Sequence, residues 1–224
     1  MWFYVGWTAL KEAYLWAWIW TPWANTVGYY PLAENFNDYS WNNYNLTNSW
    51  GSITTQSWVS CAYYNWSSYS QYNGYSITSA ARTINVRCYL WSTTWGMVHI
   101  SKYNNSSSAG SLGLFRLSSS TAWAVDRNWA ECSASVSSNA RHNIVITQSS
   151  STVKIYIDGS LGNTVSNRPN TLYTPDWWSL GSKFYSGHSE KFKGYLSRVI
   201  LENKIRTATE ISDYYNSTKS NYWL

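Results

Sequence analysis

Eleven acids, three histidines and three cysteines are the residues through which this 224-residue chain could do acid–base, metal or nucleophilic chemistry. Hydrolysis of a glycosidic bond needs two carboxylates facing one cleft, a demand met when alternate residues of a strand, as in E-x-D-x-E, carry them on one face. No such run occurs. The nearest approaches are Glu34 with Asp38 and Asp126 with Glu131, neither on a strand-like repeat. There is no G-x-S-x-G elbow, and no histidine accompanies a nucleophile motif. Cys61, Cys88 and Cys132 lack C-x-x-C spacing and sit in strand-like runs, where free thiols pack as small hydrophobes; spacing alone does not decide whether two of them bridge. His99, His142 and His188 are equally dispersed, which favours structural roles over zinc ligation. The chain is therefore expected not to be an enzyme.

Tryptophan is the unusual resource, with seventeen against only twelve glycines, where average usage gives about 16 glycines in this length. Taken literally, tryptophans on loops are sugar-stacking platforms, because an indole offers a large apolar face with a polar N–H at its edge. Trp95, near Ser92-Thr93-Thr94, and Trp177-Trp178, after Pro175-Asp176, are the candidates for such a glycan site. A second reading puts tryptophans in the core, which fits Trp58 and Trp123 in strand-like runs.

The elements that must position these residues read as β-structure. Ile144 and Ile146 alternate with Val145 and Thr147, a polar turn follows from Gln148 to Ser151, and Val153, Ile155 and Ile157 alternate with Lys154, Tyr156 and Asp158. Asp158-Gly159 supplies the positive-φ turn that returns the chain after the second strand. Arg82–Leu90 alternates well enough to be central; Met97–Ser101, Leu112–Leu117, Ala122–Val125, Trp178–Gly181 and Gly194–Glu202 complete the pattern, with a second strand around Ile53–Val59. One helix is expected, where Thr207 and Glu210 form a capping box and Ile211 with Tyr214 or Tyr215 faces inward. The tail from Asn216 reads as frayed.

The order of these pieces resembles laminin-G-like domains of the concanavalin A-like jelly-roll class. Arg141-His142-Asn143-Ile144-Val145-Ile146-Thr147 and Val153 to Gly159 resemble that family's "W-H-H-V-A-x-T" strand and its "Y-hydrophobic-D-G" turn. Asn37-Asp38-Tyr39-Ser40 resembles "D-x-S-G-N", Ala62-Tyr63-Tyr64-Asn65 resembles "A-x-x-F-N-G-S-S", and Phe192 to Val199 resembles "F-x-G-x-I-D-x-V". The resemblance implies an all-β, two-sheet antiparallel sandwich with one short C-terminal helix over residues 26–216, an arm and linker over 1–25, and a tail over 217–224. It also implies calcium at the sandwich rim, for which Asp126 with Asn128, or Asp176, are the acids on expected loops; the alternative is that these residues only form Asx turns. With glycine at Trp7 and Trp16, the arm resembles short repeats of phage structural proteins. The expected role is a recognition module for a glycan or cell-surface polysaccharide on a virion or cell surface, with a ligand-free virion decoration domain as the alternative and a glycoside hydrolase behind both.

Where the family pattern asks for glycine, tryptophan recurs, as at Trp41 and Trp66. A third reading therefore assigns many tryptophans to UGA codons meant as glycine, since glycine takes φ > 0 at no steric cost and a bulky residue does not. The gene's codons at these positions decide it.

Charge excludes one class of partner. The net charge of +5 and pI near 9.0 come from scattered residues, with no basic stripe to follow a phosphate backbone, so nucleic acid is not expected. Only 12% of residues are charged, so Ser, Thr and Asn carry the polar surface. The apolar run 13–20 is too short to span a bilayer and lacks the features of a secretory signal.

Overall fold

The computed structural model describes residues 25–73, 81–91, 98–101, 112–118, 121–126, 131–166, 177–184, 188–189 and 191–222; the expected arm, Trp95, Asn128 and Asp176 lie outside them. In chain order the strands are β1 (Thr26–Tyr30), β2 (Thr47–Ser49), β3 (Ser52–Gln56), β4 (Val59–Tyr64), β5 (Tyr69–Asn73), β6 (Arg82–Leu90), β7 (Val98–Ser101), β8 (Leu112–Ser118), β9 (Thr121–Asp126), β10 (Glu131–Ser135), β11 (Ala140–Gln148), β12 (Val153–Ile157), β13 (Ser160–Val165), β14 (Trp177–Leu180), β15 (Lys183–Phe184), β16 (His188–Ser189) and β17 (Gly194–Glu202). One helix follows, α1 (Ala208–Thr218), continued by a 3-10 turn, Lys219–Tyr222.

Two antiparallel sheets stack face to face. The larger runs β13-β12-β11-β6-β17-β4-β3, with β1 also paired to β17; the smaller runs β10-β9-β8-β7-β14-β5-β2. Strand β6 is central to the first, as its alternation predicts. Its Ile84, Val86, Cys88 and Leu90 point inward beside Ile144 and Ile146 of β11 and Leu196, Val199 and Leu201 of β17. Leu114, Ala122, Ala124, Cys132, Trp178 and Leu180 meet them from the second sheet. All three cysteines are buried and free. Among the described residues no helix is long and apolar enough to cross a membrane.

Helix α1 covers part of the larger sheet's outer face. Ile211 packs on Val145 and Tyr156, and Tyr214 on Ile200 and Tyr29. Thr207 caps it: its hydroxyl accepts from the Glu210 N–H at 3.1 Å, while the Glu210 carboxylate accepts from the Thr207 N–H at 2.8 Å. Arg206 ties this end to the sheet by donating to Glu202 and Glu210, each at 3.0 Å through Nε and NH1. The tail expected to fray from Asn216 instead stays helical through Thr218. That residue is buried, with its hydroxyl accepting from Arg87 and donating to the Tyr214 carbonyl.

The turns bear on the readings of tryptophan. Gln56 pairs with Val59, leaving Ser57 and Trp58 as a two-residue hairpin loop with φ of 48° and 71°. Asp158 and Gly159 form the same kind of loop between Ile157 and Ser160, with φ of 51° and 81°. Such loops require φ > 0 at both positions and favour glycine at the second. Trp58 occupies that glycine position and is 90% exposed, so the expectation of a core Trp58 within one strand is corrected. Trp50, on the connection from β2 in one sheet to β3 in the other, also has a positive φ, 66°. Trp41 and Trp66 are exposed but adopt no positive φ, so backbone conformation does not demand glycine there.

Two outcomes are expected. Trp58→Gly should raise unfolding stability by about 1 kcal/mol, because relief of left-handed strain exceeds the added chain entropy; Trp66→Gly should give no gain. Denaturant titration checks this, and a less stable Trp58→Gly overturns it. The second concerns acid. Burial alone would push the Glu210 carboxyl up, but Lys204, the Thr207 N–H and Arg206 outweigh it and hold the group down to about 2. Its stabilisation is therefore present above the ordinary carboxyl value of 4.5 and is lost as pH falls through about 2. Glu210→Gln should remove about 1 kcal/mol at pH 7, discounted for partial exposure, and flatten the pH dependence in that window.

Candidate functional site

Of the expected site residues, Trp95, Asn128 and Asp176 lie outside the described residues, and the structure bears on Trp178. Trp178, expected as a sugar platform, is 0% exposed. It stacks on Tyr72 at 4.9 Å between centroids, meets Tyr44 edge-on at 5.7 Å, and donates its indole N–H to the Tyr30 hydroxyl at 3.0 Å. That hydroxyl donates in turn to the Tyr44 carbonyl at 2.8 Å. A ring so enclosed is a core residue, and the reading of Trp178 as a ligand anchor is corrected. Trp177 opens β14 and Asp126 ends β9. Among the described residues no three His, Cys, Asp or Glu side chains gather to hold a metal ion.

A serine, a histidine and an aspartate do come together at the start of β11. His142 Nδ1 lies 2.8 Å from Asp158 Oδ2, and Nε2 lies 3.0 Å from Ser137 Oγ. The spacing suits nucleophilic catalysis, in which a free Nε2 lone pair takes the serine proton. The same Nε2, however, is 3.1 Å from the carbonyl oxygen of Ser137. Nε2 thus lies between two oxygens of one residue, and its role towards each, donor or acceptor, follows from the tautomer. Asp158 Oδ1 also accepts the Asn143 N–H at 2.8 Å. The trio is a clamp joining the approach to β11, its first residues and the β12–β13 turn.

The larger sheet offers a different surface. Hydrogen-bond register places Tyr63 of β4 opposite Tyr195 of β17, Tyr195 opposite Tyr89 of β6, and Tyr89 opposite Arg141 of β11. Directly opposed residues share a face, so three tyrosines and an arginine form one row across four adjacent strands. It is the outer face, since Ala62, Tyr64, Cys88, Leu90 and Leu196 alternate with them into the core. Tyr195 is the hub, with ring centroids 5.2 Å from Tyr63, 6.0 Å from Tyr89 and 5.8 Å from Trp91. Lys193 Nζ sits 4.8 Å over the Trp91 ring.

All of these residues are half-buried, and the tyrosines differ from those of the interior in one respect. The Tyr30 and Tyr64 hydroxyls donate to the Tyr44 carbonyl and Ser70, and that of Tyr214 accepts from Arg198. Among the described residues, the hydroxyls of Tyr63, Tyr89 and Tyr195 have no hydrogen-bond partner. Burial first, then neighbouring Tyr63, Cys61 and Tyr89, pushes the Tyr195 hydroxyl up, so it stays neutral and available as a donor. Arg141 NH2 donates to the carbonyl and side-chain oxygens of Gln56, so the β3–β4 hairpin must bend over this face to meet it. Sequence reading met Tyr63 and Tyr195 only as family-pattern positions. The signal it lacked was the register that aligns them.

A model of the concanavalin A-like lectin/glucanases superfamily matches residues 38–212. No curated protein matches the sequence. Among solved structures, domain 4 of an extracellular arabinanase from Geobacillus stearothermophilus, in complex with arabinotriose, is similar at 12% identity and a TM-score of 0.66, covering 84% of this chain and 97% of that one. The binding domain of Paraclostridial Mosquitocidal Protein 1 is similar at 16% identity and a TM-score of 0.64, covering 86% of this chain and 52% of that one. A botulinum neurotoxin type C structure, whose cell entry depends on interaction with two ganglioside molecules, is similar at 13% identity and a TM-score of 0.61, covering 86% and 51%. This chain thus spans about half the length of the toxin chains it matches. At these identities the likeness is one of fold.

The clamp reading of Ser137 is open to a direct check. A fluorophosphonate probe is expected to leave Ser137 unlabelled, and Ser137→Ala should change stability by no more than about 0.5 kcal/mol. Covalent labelling lost in Ser137→Ala would restore a nucleophile.

Proposed function

This chain belongs to the concanavalin A-like lectin/glucanases superfamily, and on that premise we propose that it is a non-enzymatic glycan-binding module whose ligand lies on the row of Tyr63, Tyr195 and Tyr89. The observation that carries the reading is the row of three half-buried phenols whose hydroxyls find no partner among the described residues. Tyrosine joins an apolar ring to a polar tip and loses little side-chain entropy on binding. A sugar has the matching make-up, C–H faces rimmed by hydroxyls. Trp91 extends the strip, yet the three tyrosines carry it whether or not that tryptophan is encoded as such.

Similar structures support this reading: one is a domain in complex with arabinotriose, and another is of a neurotoxin whose cell entry depends on two ganglioside molecules. The module belongs on a cell surface or virion, with residues 1–25 as the joining arm. A rim calcium on Asp126, Asn128 and Asp176, and stacking by Trp95 or Trp177, are separate proposals that the tyrosine row does not require.

A glycan array followed by calorimetry on the full chain tests the function. Tyr195→Ala should weaken binding at least tenfold, about 1.4 kcal/mol, with the melting transition retained, and Tyr195→Phe should weaken it less. Chelation of calcium should change nothing. Binding that survives Tyr195→Ala but vanishes on chelation would move the site to the rim, and silence across the array would favour a structural decoration role.

A further inference from the structure

The charge around the tyrosine row is one-sided. Arg141 ends the row beside Tyr89, and Lys193 lies over Trp91 at the strand ends. Among the described residues neither forms an ion pair, and the carboxylates of Asp158, Glu202 and Glu210 are engaged elsewhere: Asp158 by His142 and the Asn143 N–H, Glu202 by Arg206, and Glu210 by Lys204 and Arg206. Arg141 is fixed through NH2 by Gln56, and among the described residues its NH1 and Nε have no partner. Gln56 contributes oxygen acceptors only, so it orients the guanidinium without neutralising it. Lys193 is likewise held by a ring face, which attracts an ammonium while leaving its charge in place.

From this arrangement we infer that the site selects acidic oligosaccharides, whose sugar faces rest on Tyr63, Tyr195 and Tyr89 while carboxylate or sulfate groups meet Arg141 and Lys193. The inference rests on the glycan-binding reading and deepens it. The three tyrosines span about 10 Å across three strands, so a short oligosaccharide lying across them brings its substituents towards both cations at once. Charge-assisted hydrogen bonds to a partly desolvated arginine are stronger than neutral ones. A neutral glycan leaves both cations without a counter-charge, which is the basis of discrimination.

The test measures binding of the full chain to matched pairs: uronate oligomers with their carboxyl-reduced counterparts, and sulfated oligosaccharides with their desulfated forms. At least one acidic member should bind tenfold or more tightly than its neutral partner, and added sodium chloride should erode that preference. Lys193→Gln should narrow the gap several-fold by weakening the acidic member alone, while Tyr195→Ala weakens both members. The carboxylate and sulfate arms identify which group is read. Equal affinity within every pair, with Tyr195→Ala still disrupting binding, overturns the acidic preference and leaves the glycan site standing. Absence of binding to every member, acidic and neutral, overturns both.

Discussion

Strand β6 is hydrogen-bonded along its whole length to β11 on one side and along most of it to β17 on the other, and this double pairing fixes everything else. A slip of one residue would carry Ile84, Val86, Cys88 and Leu90 to the outside and Tyr89 into the core. The buried alternation on three adjacent strands forbids it. The tyrosine row is therefore a by-product of core packing: once the inward residues choose the register, Tyr63, Tyr195, Tyr89 and Arg141 have nowhere to stand but in line.

The outer face of that sheet is divided between two uses. Helix α1 lies over Val145, Tyr156, Ile200 and Tyr29, anchored by Thr207 and by the Glu202–Arg206–Glu210 chain. The tyrosine row keeps ring surface half-exposed.

Much of the fold was legible because its strongest signals are local. The run 143–161, with Asp158-Gly159 as its turn, reads directly as the β11–β12–β13 ribbon, and Thr207 with Glu210 announces the helix start. Two things were hidden. The Ser57-Trp58 loop carries tryptophan where a hairpin advertises glycine, so the strand expected around Ile53–Val59 ran through a turn. The site was less legible still, because its members lie at positions 63, 89, 141 and 195 and only pairing brings them together. Tyrosine in a strand looks the same whether it faces the core, as Tyr64 does, or stands in the row, as Tyr63 does. Trp178 misled for the opposite reason: turn residues precede it, yet its indole N–H answers the buried Tyr30 hydroxyl.

The irregularity in β17 between Leu196 and Arg198 has a further meaning. Upstream of it β17 pairs with β4, and downstream with β1. Ser197 is the surplus residue, and without it Tyr195, Leu196, Arg198 and Val199 would still alternate out and in. Loss of that one residue would thus spare the inside–outside pattern while straightening the strand where its neighbour changes, since bulges sharpen local twist.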